Sequence, residues 1–381
     1  YLLDSYDLIV LAIVMPVLLK VLDITLPEGG LIGSATMVGA MIGSIVFGLI
    51  AENRGRRVAL IAALLWLGVG MGAVYLVHGL GMWMALRCLT GLAIGGIWGP
   101  CSALIAEHWA PRYRGRAASF VLSSFAIGAV AASFTGRMVL DTDWRLLFLL
   151  GTVSIPFAFI VAWLVPPDRA VGKLSGTGAP AAKVGVTDIF TGGLGKTTFL
   201  ATLVSLINLA GYWGAAYWIP TFLTRERGLS LTMMADFSLV MYVGMFFGFQ
   251  FFGFLADRIG RRKAMIAAFG TIAAAVWVYI VVKDPLFLFW WGIVVGFGLP
   301  GVGGVLGAYF AELFPERVRA YAGGFCWNMG RIGAVLAPYT IGQIGSHYGL
   351  ATGLAVTGVV YVIGALSLFL LPETFGGRGR H

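Results

Sequence analysis

The sequence predicts an all-α membrane protein of twelve transmembrane helices, built as two matching six-helix halves. Three observations carry this. Of the 381 residues, 59% are hydrophobic and only 11% are charged, against about 25% charged in a soluble domain. Apolar stretches of about 20 residues, the length of helix that crosses a bilayer, recur along the whole chain. Two charged motifs return at a fixed spacing of 205 residues, and a shared offset across separate motifs marks an internal repeat.

Taken in order, hydropathy places spans near 1–18, 31–50, 58–77, 82–106, 117–138 and 146–166, then near 198–222, 232–255, 264–282, 286–311, 321–344 and 351–371. Between the sixth and seventh lies PPDRAVGKLSGTGAPAAKVGV, too rich in Pro, Gly and Ala to be a span. The domains expected are a six-helix bundle over 1–166, a cytoplasmic linker over 167–197 and a second bundle over 198–381. The chain starts without methionine, already inside its first span, so residues before Tyr1 are expected to be missing; no signal peptide is visible. The 55 glycines suit close helix packing in lipid.

The repeat is read from GLIAENRGRR (48–57) and GFLADRIGRR (253–262), which follow the second span of each half, and from AEHWAPRYRGR (106–116) and AELFPERVRA (311–320), which follow the fourth. Gly48 and Gly253, Glu52 and Asp257, Arg56 and Arg261, and Glu107 and Glu312 are each 205 residues apart. Basic residues set the orientation. Eighteen of the 26 Lys and Arg lie in the loops after even-numbered spans and in the C-terminal tail, and six lie on the opposite side. The richer side is cytoplasmic, with both termini on it, in a cell inner membrane. The net charge of +9 therefore reflects membrane topology and not a nucleic-acid partner.

Other chemistries find no support. Cys88, Cys101 and Cys326 all fall in apolar spans, which leaves no disulfide framework or metal site. GFGLPG (296–301) fits a dinucleotide fingerprint but lies inside a span with no strand before it. TGGLGKTT (191–198) lacks the first glycine of a phosphate loop, that position being Phe190. With no Ser/His/Asp constellation either, no enzyme, catalytic residue or cofactor is expected.

Twelve spans, the six-plus-six repeat and G-x-x-x-[DE]-x-x-G-R-R after spans 2 and 8 resemble the major facilitator superfamily. The C-terminal copy of the motif is complete; the N-terminal copy has Glu52 for aspartate and Asn53 for arginine. The span-1 pattern DSYD (4–7) and WNMGRIGAVLAPY (327–339) are similar to those of metabolite–proton symporters of aromatic acids, sialate and small monocarboxylates. The span-4 pattern of Arg87, Gly91, Gly95, Glu107 and Pro111 is also similar to that of sugar porters. The resemblance implies a central cavity between the halves and alternating access. It also implies a cytoplasmic gate in which Glu52 meets Arg56 and Asp257 meets Arg261, beside Glu107 and Glu312. Arg57, Arg262 and Lys263 are read as simple positive-inside anchors.

Charges inside spans are costly and mark function. Asp4 and Asp7 share one face of span 1, and Asp7 lies roughly 16 Å from the outer end at about 1.5 Å per residue. Arg87 enters span 4 to a similar depth and is the expected partner of Asp7. Relatives that couple to protons resemble this pairing, so Asp7 is read as the proton carrier, tuned by Arg87, with Asp4 as a relay, a second proton site or an end charge. A fixed structural pair joining spans 1 and 4 is the alternative. Arg331, mid-span with Asn328 and Trp327 on its face, is the candidate for a substrate carboxylate; an arginine bonded to backbone carbonyls is the alternative. In span 7, Asn208 and Tyr212 are read as pocket residues, whereas Trp213, Tyr217 and Trp218 are assigned to packing or the outer aromatic belt. Asp236, near the outer end of span 8, is expected to be wet.

The expected function is proton-coupled symport of a small organic anion, a monocarboxylate or aromatic acid. Its partners would be that substrate, protons and the lipid bilayer, its working unit a monomer, and the proton its coupling ion. A sugar or polyol symporter and a non-transporting membrane sensor are the alternatives.

Overall fold

The computed structural model describes residues 1–108, 114–165 and 185–374, with 102–108 and 114–120 as backbone only. The first half contains α1 (Leu2–Val21), α2 (Leu26–Arg54), α3 (Arg56–Gly72, prolonged by a 3-10 turn over Ala73–Leu76), α4 (Leu80–His108), α5 (Arg114–Val139), α6 (Arg145–Gly151) and α7 (Ser154–Leu164). The second contains α8 (Gly195–Arg225), α9 (Leu231–Ile259), α10 (Arg261–Val281), α11 (Pro285–Gly298), α12 (Gly303–Leu313), α13 (Arg319–Tyr348) and α14 (Leu350–Leu368). No strand occurs among the described residues.

Eleven of these segments are long and apolar enough to cross a membrane, counting α6 with α7 and α11 with α12 as one each. The twelfth is α13, a 30-residue helix diluted by glycine, Asn328 and Arg331. The twelve-helix architecture read from hydropathy is therefore present, with two spans broken. Span 6 divides at Thr152–Val153. Span 10 divides over 299–302, where Pro300 brings no N–H and Gly298 and Gly301 flank it. GFGLPG is thus a helix break, not a strand-to-helix turn.

The helices run beyond the hydrophobic windows because their ends are capped. Thr25 and Glu28 close a reciprocal box at the start of α2, Thr25 N–H donating to Glu28 Oε2 at 2.8 Å. At the other end α2 stops at Gly55, φ +99°, and its counterpart α9 stops at Gly260, φ +108°. Only glycine takes that conformation readily, and a Cβ on Gly260 would also lie 2.6 Å from the Glu373 carboxyl carbon.

Glycines bring helix backbones into contact. A side chain on Gly39 or Gly43 of α2 would overlap the Cys88 or Leu92 carbonyl of α4, and one on Gly91 or Gly95 would overlap the Thr36 or Ala40 carbonyl. The second half repeats the device at the same 205-residue offset. Gly244 and Gly248 of α9 face the Ile293 and Phe297 carbonyls of α11, and Gly296 faces Met241.

The chain forms two compact units, Tyr1–Ala181 with Leu223–Asp236, and Ala182–Phe222 with Phe237–His381. In the first, α1 packs chiefly on α5 and α6, while α2, α3, α4 and α7 pack on one another. The 223–236 segment belongs to this unit. Asp236, expected to be wet, is partly exposed and pairs with the exposed Arg137 at 3.1 Å, and Thr232 donates to Asp141. In the second unit α10 packs on α14 and α11, and α13 on α14 and α12. Most of the expected 167–197 linker lies outside the described residues; within 185–194 a short 3-10 turn, Val186–Ile189, precedes α8.

Candidate functional site

The most enclosed membrane segment is α1: 83% of its apolar window is buried, against 28–61% for the other ten candidate spans. Its acids are therefore inside protein and not in lipid. Asp7 is fully buried, and Arg87 of α4 is 1% exposed. The two meet fork to fork, Arg87 Nη1 donating to Asp7 Oδ1 at 2.7 Å and Nη2 to Oδ2 at 2.6 Å. Two parallel charge-assisted bonds are the geometry that makes burial of such a pair tolerable. Arg87 Nε, the remaining corner of the fork, donates to Thr36 Oγ1 of α2 at 3.3 Å. Thr36 is itself fully buried and passes its hydroxyl proton to the Ile32 carbonyl at 3.1 Å.

Tyr6, between the two acids, fixes the rotation of α1. Its hydroxyl donates to the Leu147 carbonyl at 3.1 Å and lies 3.1 Å from Thr135 Oγ1. Asp4 is 3% exposed, one turn nearer the chain start, and its Oδ1 accepts the Ser5 N–H at 2.9 Å. It takes no part in the Asp7–Arg87 bonds.

The equivalent place in the second unit is chemically different. At the 205-residue offset Asp7 becomes Tyr212, Thr36 becomes Met241 and Arg87 becomes Gly292. The Tyr212 hydroxyl donates to Met245 Sδ at 3.7 Å. Asn208, 5% exposed, places its amide nitrogen 3.7 Å from where a Cβ at Gly303 would be. On α13, Gly330 abuts Ser205 of α8 and Gly333 abuts the Leu206 carbonyl, which fixes that helix against α8. Trp327, Asn328 and Arg331 are partly buried on the flank between this glycine face and the exposed Ile332 and Leu336.

Of the two readings for Tyr217 and Trp218, packing and the aromatic belt, the structure shows packing. Both are buried inside the second unit, and Trp218 Nε1 donates to the Pro338 carbonyl at 2.8 Å. An indole whose N–H finds a protein acceptor needs no interfacial water.

The G-x-x-x-[DE]-x-x-G-R-R motif is assembled in its C-terminal copy. Arg261 bonds Asp257 and also reaches Glu312 Oε1 from Nε at 3.2 Å and from Nη2 at 3.1 Å. Thr374 donates to the other Glu312 oxygen at 2.6 Å. In the N-terminal copy Glu52 is exposed and Arg56 partly buried; the Glu107 side chain lies outside the described residues. Arg57 and Arg262 are more than membrane anchors. Arg57 donates to the Ala162 carbonyl in the last turn of α7, and Arg262 Nη1 to the Leu371 carbonyl, just past α14, at 3.0 Å. Carbonyls at a helix end have no intrahelical donor, and these two arginines supply one. Lys263 joins through its backbone N–H, which with that of Arg262 binds the Glu373 carboxylate at 3.3 and 3.2 Å.

The sequence profile of the Major Facilitator Superfamily matches residues 1–250 and 201–380. The chain belongs to that superfamily. It is accordingly a multi-pass membrane transporter, not an enzyme. A Haemophilus influenzae protein named for metabolite transport is 30% identical over 99% of this chain and 94% of its own length. The cis,cis-muconate transport protein of Acinetobacter baylyi is 28% identical over 98% of this chain and 92% of its own. Among solved structures the D-xylose–proton symporter superposes with a TM-score of 0.80 at 18% identity, covering 99% of this chain and 96% of that one, a likeness of fold.

Within this superfamily member the chemistry available at depth is one carboxylate in contact with one guanidinium. Among the described residues no cluster of His, Cys, Asp or Glu is placed to hold a metal ion. Thr36 and Tyr6 were not foreseen; the one signal for Thr36 is a hydroxyl one turn before the Gly39–Gly43 contact with the arginine's own helix.

Proposed function

We propose that this transporter is a proton-coupled symporter of a small organic anion, a monocarboxylate or aromatic acid, working by alternating access. The observation that carries the reading is the fully buried Asp7–Arg87 pair. A charge pair of this kind deep in a membrane bundle marks an ion pathway more often than a strut. Asp7 carries the proton, Arg87 tunes it, and Asp4 lies on the same helix face toward the chain start as a relay. Arg331 holds the substrate carboxylate with its fork of donors, with Asn328, Trp327, Asn208 and Tyr212 around the remainder of the molecule. Muconate, named for the A. baylyi relative, is a dicarboxylate and fits the wider class of small organic anions. The Asp257–Arg261–Glu312 cluster and its N-terminal counterpart, Glu52, Arg56 and Glu107, close the cytoplasmic side. Both termini face the cytoplasm, the monomer is the working unit, and the proton is the coupling ion with no other cofactor.

Uptake into proteoliposomes under an imposed inward proton gradient tests this, with labelled lactate, benzoate, hydroxybenzoate, sialate and a hexose. A carboxylate that accumulates, and stops accumulating when the gradient is collapsed, supports the reading. Asp7→Asn must then abolish accumulation while leaving counterflow, and Arg331→Lys must weaken substrate affinity. Movement of the hexose alone would overturn it in favour of a sugar symporter.

A further inference from the structure

We propose that Thr36 is a positioning residue for proton exchange, the acceptor that holds Arg87 in place while Asp7 is protonated. The inference rests on the reading of Asp7 as the proton carrier. Its geometric basis is independent of that reading. Arg87 presents three nitrogens, two bonded to the Asp7 oxygens and the third, Nε, to Thr36 Oγ1 at 3.3 Å. Thr36 commits its own proton to the Ile32 carbonyl at 3.1 Å, so its lone pairs face the guanidinium. Both Thr36 and Arg87 are closed to bulk solvent, at 0% and 1% exposure.

When Asp7 takes a proton, one of its oxygens becomes a hydroxyl and the fork loses its anionic partner. The guanidinium remains charged, and a buried charge without an acceptor is strongly unfavourable. Thr36 supplies an acceptor that does not titrate and does not move. Gly91 seats α4 directly on the Thr36 backbone carbonyl, and Gly39 seats α2 on the Cys88 carbonyl, so Thr36 and Arg87 are locked to each other through their backbones. With the hydroxyl present, the state in which Asp7 is neutral stays accessible and Arg87 waits in register for the carboxylate to return. Without it, each protonation leaves the guanidinium with only the acceptor capacity of a neutral carboxyl group, and the proton becomes harder to load.

The second unit offers the contrast. Met241 stands at the Thr36 position where Gly292 stands at the Arg87 position: without an arginine there is no acceptor either.

Thr36→Val keeps the shape and removes the acceptor. In proteoliposomes of the full chain, it is expected to lower accumulation under a proton gradient at least about fivefold, while counterflow stays within about twofold of wild type, in keeping with the loss of one bond to a charged group. Thr36→Ser, which restores the oxygen, must recover accumulation. A merely structural role would depress both activities together and would not separate Val from Ser. If Thr36→Val inserts poorly, Thr36→Ala is read by the same criteria. Accumulation unchanged in the Val or Ala variant, with Asp7→Asn abolishing it in parallel, overturns the role of Thr36 alone. Accumulation unaffected by Asp7→Asn overturns the proton-carrier reading and this inference with it.

Discussion

Replacing Arg87 by methionine keeps most of the side-chain volume and removes both bonds to Asp7. These bonds are 2.7 and 2.6 Å long and closed to solvent. Removing one partner of a buried ion pair costs about 3–5 kcal/mol, because the other charge is left without compensation. For a unit of about 150–250 residues each kcal/mol moves the melting temperature by about 2–4 °C, so the Arg87→Met protein should melt roughly 6–20 °C below wild type. Asp7→Asn should also be destabilised, by less, since the amide oxygen still accepts from the guanidinium. The combined Asp7→Asn/Arg87→Met variant removes both charges and should recover part of the loss, the uncompensated buried charge being gone while the amide at position 7 keeps a desolvation cost of about 1–3 kcal/mol. Thermal unfolding in detergent, followed by the fluorescence of the 12 tryptophans, measures all four corners of the cycle. A double variant no more stable than Arg87→Met would refute the reasoning, because the pair would then not be the source of the loss.

Gly91→Ala and Gly296→Ala place a methyl group against a carbonyl of the facing helix and should each destabilise by about 1–3 kcal/mol; Gly48→Ala, with nothing within 4 Å of the added carbon, should not, as the same melting assay will show. Trp218→Phe leaves the ring packing but frees the Pro338 carbonyl from its 2.8 Å donor, an expected loss of about 1 kcal/mol, whereas a lipid-facing tryptophan would show none. Glu373→Gln weakens the charge that meets the Arg262 and Lys263 N–H groups at the start of α10. Its cost, about 0.3–1 kcal/mol by the helix-dipole effect, should shrink as salt is raised in an unfolding titration.

The Asp7–Arg87 contact was legible in the sequence because two opposite charges stood at matching depth in otherwise apolar spans, where neither is tolerated alone. The repeat was legible because its motifs are polar and sit at helix ends. Thr36 was not, since a hydroxyl in a membrane helix usually bonds the carbonyl one turn back, as Thr36 also does, and its second bond exists only once α2 and α4 are packed. The breaks in spans 6 and 10 were hidden because hydropathy sums composition and is blind to where backbone bonds fail. Trp218 kept two readings, packing or belt, for a related reason: depth along a helix says nothing about which side of it faces lipid. Arg57 and Arg262 read as anchors because the carbonyls they bind, at Ala162 and Leu371, lie at the far ends of helices more than a hundred residues away in sequence.

The packing of the first unit gives the ion pair a mechanical meaning. Tyr6 ties α1 to Thr135 of α5 and Leu147 of α6, while glycine contacts weld α2 to α4 and Arg57 ties α3 to α7. Asp7 stands on the first of these groups and Arg87 on the second, so their bond is a bolt driven across the seam between two sets of staves. Neutralising Asp7 would loosen the bolt and leave the smaller contacts of α3 with α6, α1 with α2 and α4 with α5 to hold the seam. On the proposed reading, a single proton would weaken the join at this seam, and the stiffness of the parts would place the slack there.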